Sequence, residues 1–80
     1  MTSLYQPPLK RSITIAGHQT SITLEPSFWD GLERAAERLG LPLNALVAQI
    51  DAARLEVEDP PNLASAIRSW LYAEASESED

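Results

Sequence analysis

Catalysis needs groups that can move a proton, attack a bond or hold a metal, and this chain offers few of them. It has no cysteine and a single histidine, His18. Without cysteine there is no thiol nucleophile, no thiolate metal site and no disulfide framework. His18 directly follows Gly17 in a turn-like stretch, with no partners at metal-ligand or triad spacing. Glu33 and Glu37, and the cluster Glu56, Glu58 and Asp59, read as solvated faces rather than acid–base pairs. No phosphate-binding glycine loop, dinucleotide fingerprint or nucleophile elbow is present. A non-enzymatic protein without cofactor or metal is expected.

Recognition is the chemistry that remains, and it concentrates in residues 11–25, RSITIAGHQTSITLE. Two runs, SITI and SITL, each alternate hydroxyl and aliphatic residues, which is the period of a half-buried strand. Gly17-His18 suits a two-residue type II′ turn, with Gly at the first central position. That turn predicts Ala16 opposite Gln19, Ile15 opposite Thr20, Thr14 opposite Ser21, Ile13 opposite Ile22 and Ser12 opposite Thr23. One face then carries Ile13, Ile15, Ile22 and Leu24, with Thr20 among them. The other carries Ser12, Thr14, Gln19, Ser21, Thr23 and, by parity, Lys10. Two readings of this polar face stand. It is the wet side of an antiparallel sheet, or a surface whose amide and hydroxyls bond base edges.

Charge bears on that choice. The net charge is −6, from 12 acidic and 6 basic residues, which disfavours nucleic acid when taken as a mean. The distribution is uneven: residues 1–24 contain Lys10, Arg11 and His18 and no acid. Lys10 and Arg11 are therefore candidate phosphate contacts. Residues 75–80 read as an acidic, solvated tail and residues 1–9, with Pro7-Pro8, as a flexible arm. No window approaches the roughly 18 apolar residues of a membrane span, and no signal peptide is apparent. A cytoplasmic protein is expected.

The elements that must carry this hairpin follow it directly. Pro26 opens an amphipathic helix over about 26–39, with Phe28, Trp29, Leu32, Ala35, Ala36 and Leu39 on one stripe and Gly40 as terminator. A second helix over about 42–55 carries Leu43, Leu46, Val47 and Ile50. Asn62, after Pro60-Pro61, caps a third over about 62–74, with Leu63, Ala66, Ile67, Trp70 and Leu71 on one face. Eighty residues bury only about 60% of their unfolded surface, a level at which small domains often oligomerise. The fold class is mainly α with a short β-hairpin.

The strand TSITLE, Pro26 opening a helix, and GLPLNALV at the next turn resemble the ribbon-helix-helix superfamily (Arc/MetJ-like). The wider pattern KRSITIAGHQTSITLEPSFWDGL, GLPLNALVAQID and NLASAIRSWL is similar to small bacterial ribbon-helix-helix domain proteins with an extra N-terminal strand and a third helix. The resemblance implies an intertwined homodimer, one strand from each subunit pairing at the dyad. Its shared core would include Ile13, Ile22, Leu24, Trp29, Leu32, Leu46, Val47 and Ile50. It implies a transcription regulator whose ribbon enters the major groove of double-stranded DNA through Gln19, Ser21 and Thr23. Phosphate would be held by Lys10, Arg11 and the start of the second helix at Leu43, Asn44 and Ala45, although Asn44 reads first as a helix cap. The rival expectation is a non-enzymatic interaction protein of the same fold. It would bind a protein or small ligand at the third helix and a cleft around Trp29 and Trp70.

Overall fold

The structure, a computed structural model, describes residues 5–78. Strands β1 (Leu9–Ile15) and β2 (His18–Leu24) form an antiparallel hairpin, followed by helices α1 (Pro26–Leu39), α2 (Leu43–Arg54) and α3 (Leu63–Ser78). The family expectation of a hairpin followed by three helices is met.

The hairpin register corrects the expected one. Leu9 pairs with Leu24, Arg11 with Ile22, Ile13 with Thr20 and Ile15 with His18. The turn is centred on Ala16-Gly17, both at positive φ (52° and 84°), as a type I′ turn requires. Each residue of β1 therefore lies opposite a position two residues earlier than expected. Because two is even, every side chain keeps its face. Strand geometry also favours the observed register, since its seven rungs end at Leu24. The expected pairing would have placed Leu9 opposite Pro26, which has no N–H to donate.

The root of the hairpin is fastened to α1. The Trp29 indole Nε1–H donates to the Leu9 carbonyl at 2.8 Å, and Trp29 is itself buried. Pro26 occupies the first turn of α1. The helix ends where Gly40 adopts φ 70°. There the Leu41 N–H reaches the Ala36 carbonyl at 2.9 Å and the Gly40 N–H reaches that of Glu37 at 3.1 Å. Only Gly40, Leu41 and Pro42 separate α1 from α2. At the other end of α2, Arg54 donates to Asp51 at 2.9 Å and to the Pro61 carbonyl at 3.1 Å, tying down the proline-rich link. Asn62 caps α3, accepting from the Ser65 N–H at 2.8 Å. That helix continues to Ser78, taking up much of the expected acidic tail. Residues 79–80 of the tail and 1–4 of the arm lie outside the described residues.

The apolar hairpin face, α1, α2 and α3 enclose one core. All eight residues expected in a shared dimer core are buried within the single chain, Leu24, Leu32 and Val47 completely. Ala66 and Ile67 of α3 complete the enclosure.

Candidate nucleic-acid interface

Period-2 alternation directs six polar side chains of the hairpin to solvent. Three alternate rungs, Lys10 with Thr23, Ser12 with Ser21 and Thr14 with Gln19, make this outer face, and all six residues are exposed. Successive rungs on one face are about 6.8 Å apart along the strand. The face presents four hydroxyls, one carboxamide and one ammonium, and no carboxylate. Such groups donate to phosphate oxygens and to acceptors on base edges, and the hydroxyls and amide also accept. Ser12 and Thr14 belong to this surface as fully as the expected contacts Ser21 and Thr23. The alternation of the sequence had already placed them there.

Arg11 lies on the opposite face. Its Nη1 is 2.7 Å from Glu33 Oε1, and its guanidinium stands over the Trp29 ring, 4.7 Å from the centroid. Lys10 and Arg11, adjacent in sequence and grouped as phosphate contacts, are separated by the sheet. The alternation that turns Lys10 outward turns Arg11 inward. What sequence reasoning missed was the pair of α1 residues, Trp29 and Glu33, one helical turn apart, that receives it.

The start of α2 offers donors of another kind. Pro42 is the cap residue and provides no side-chain bond. The N–H groups of Ala45 and Leu46 bond the Pro42 carbonyl at 3.0 and 3.2 Å. This leaves the first two helical N–H groups, at Leu43 and Asn44, directed out of the helix end, where its dipole favours an anion. Asn44 is the second helical residue and exposed, so the capping role expected for it is not taken up. Leu43 and Ala45 are half-buried.

Among the described residues, β2 is bonded to β1 along one edge and to no strand along the other. Beside the open edge lies a groove of about 260 Å³, lined by Thr20, Ser21, Ile22 and Thr23 with Asn62, Leu63 and Ala64. At the base of the hairpin, Arg68 of α3 bonds the Glu25 carboxylate through Nε at 3.1 Å and Nη2 at 3.0 Å. A backbone hydrogen bond and the Arg68 guanidinium hold the Glu25 carboxyl below its ordinary value. His18 sits exposed at the turn. Among the described residues, no three His, Cys, Asp or Glu side chains converge as metal ligands.

A two-stranded ribbon, a tight α1–α2 turn and an uncapped α2 start are the parts on which the comparison with known families bears. The ribbon-helix-helix domain family matches residues 8–75. The chain belongs to this family. Ribbon-helix-helix domains are generally those of DNA-binding regulators and typically not those of enzymes. No curated protein and no solved structure matches the chain significantly. No helix among the described residues is long and apolar enough to cross a membrane.

Proposed function

We propose that this ribbon-helix-helix protein is a cytoplasmic transcription regulator that binds double-stranded DNA as a homodimer. The observation carrying this reading is the outer face of the hairpin, polar, exposed and free of carboxylates in a chain of net charge −6. In the dimer, the open edge of β2 pairs with its symmetry mate along the Thr20–Thr23 groove. The doubled ribbon enters the major groove, where Gln19, Ser21 and Thr23 meet base edges and Lys10 meets phosphate. The free N–H groups of Leu43 and Asn44, with the adjacent Ala45, bind a backbone phosphate. Arg11 acts from behind, holding the ribbon on α1.

Duplex binding at low and moderate salt tests this, with random and genomic fragments as probes. Binding is expected to weaken on Lys10→Ala and to be lost on Ser21→Glu, which sets a carboxylate on the reading face. No binding at low salt, or binding indifferent to Ser21→Glu, overturns the reading. Sedimentation tests the dimer, and a folded monomer at micromolar concentration excludes it. The rival, a non-enzymatic interaction protein, draws support from the engagement of Arg11 by Glu33, which leaves Lys10 as the one cation of the outer rungs. Nearly salt-independent association with a partner other than DNA would favour it.

A further inference from the structure

Away from the hairpin, α1 and α3 diverge around an open groove of about 500 Å³. Phe28, Gly31 and Ala35 of α1 form one wall, and Leu71 and Tyr72 of α3 form the other. Neither tryptophan borders it, so this is a different place from the cleft expected around Trp29 and Trp70. Its rim holds Arg34, Arg38 and Arg68 against one acid, Glu74. Half of the six basic residues of an acidic protein therefore stand around a single apolar depression.

The three arginines are not equivalent. Arg68 is doubly bonded to Glu25 and stands over the Phe28 ring at 5.6 Å. Arg34 Nε is 3.1 Å from Asp30 one turn away. Arg38 makes the loosest pair, 3.9 Å from Glu74, with half its side chain exposed. Arg38 is thus the cation with most to gain from a new anion, and Arg34 lies one turn from it on the same rim. Gly31 keeps the floor open. A Cβ placed there would sit 3.7 Å from Leu71, and anything longer would enter the groove. The volume lies in the range of sites for small ligands, which are mostly apolar with a few charged groups fixing orientation.

We propose that the α1–α3 groove binds a small amphipathic carboxylate, an alkyl or aromatic body with an anionic head. The body lies between Phe28, Gly31 and Leu71 and beneath Tyr72. The head is received by Arg38, assisted by Arg34, in the charge-assisted geometry that arginine offers carboxylates. The site is independent of the DNA reading, since it uses none of the residues of the hairpin's outer face.

The test is titration of the whole protein with dodecanoate below its micellar concentration and with naphthalene-2-carboxylate, followed by amide NMR and calorimetry. Shifts are expected at Phe28, Gly31 and Leu71. Dodecylammonium, of the same body and opposite charge, should bind at least tenfold more weakly. Arg38→Glu should weaken carboxylate binding at least tenfold, whereas Lys10→Glu, an equal change in net charge on the hairpin, should leave it unaltered. Gly31→Leu, checked for retained helix by circular dichroism, should abolish it. Failure of both carboxylates to bind, equal binding of dodecylammonium, or shifts confined to other surfaces would overturn the proposal. So would Arg38→Glu or Gly31→Leu dissociating a homodimer, which would identify the occupant as a second copy of the chain.

Discussion

The two ends of the hairpin are held in opposite ways. At the root, Leu24 is completely enclosed, the Trp29 indole bonds the Leu9 carbonyl, and Arg11 is clamped between Trp29 and Glu33. At the tip, Ala16, Gly17 and His18 are all exposed, and Ala16 occupies a left-handed conformation that residues other than Gly, Asn and Asp adopt only with strain. The ribbon is therefore positioned from its base, and its turn tolerates strain because the root fixes the register. Orientation of the proposed reading face is a property of α1 as much as of the strands.

The largest expected effect attacks the root. Trp29→Ala removes a buried aromatic and should cost about 3–5 kcal/mol in chemical denaturation. Trp29→Phe keeps most of the apolar volume but loses the bond to Leu9, and should fall well short of that. Equal losses would show that the indole hydrogen bond, rather than packing, holds the ribbon. Arg11→Ala should cost about 1 kcal/mol, the sum of a partly exposed cation–π contact and ion pair, with faster amide exchange in β1. At the tip the sign reverses. Ala16→Asn creates the Asn-Gly pair that type I′ turns favour and should stabilise by about 1 kcal/mol; destabilisation would refute the assigned turn.

The smallest effect is one of pH. The carboxyl of Glu25 titrates below the ordinary value of 4.5 in the folded chain. On acidification the unfolded chain takes up this proton first, so stability falls as pH drops through 4.5 towards the lowered folded value. The contribution is complete above about pH 5.5. Thermal unfolding of Glu25→Gln should therefore show a flatter acid limb than wild type, with the two curves parallel near neutrality.

Element order and the division of the hairpin into two faces were legible in the sequence, because alternation and helical periodicity are local. The register was not. Local chemistry argues for Gly17 at the first turn position and against Ala16 at positive φ. The ladder to Leu9 and the Trp29–Leu9 bond outweigh that preference, and both depend on the position of α1. The faces survived because the displacement was even. The position of Arg11 followed from parity, yet its basic type drew it into the site. The α1–α3 groove was illegible for a related reason. It depends on where α3 returns, and Phe28 and Tyr72, close neighbours of the expected Trp29 and Trp70, border it because a helix turns about 100° per residue. That Ala66 and Ile67 of α3 close the same core as the hairpin was likewise a matter of packing that periodicity does not supply.

The even displacement at the turn has a consequence for how this chain can be rebuilt. A slip of the pairing by two residues leaves Lys10, Ser12, Thr14, Gln19, Ser21 and Thr23 facing outward, whereas a slip of one would turn the isoleucines of one strand to water. With the root held by Trp29, Arg11 and Leu24, the exposed tip at Ala16-Gly17 is the natural place to graft a foreign peptide. Because the root and not the turn sets the register, inserts of either parity there would extend the loop and leave the faces of both strands as they are.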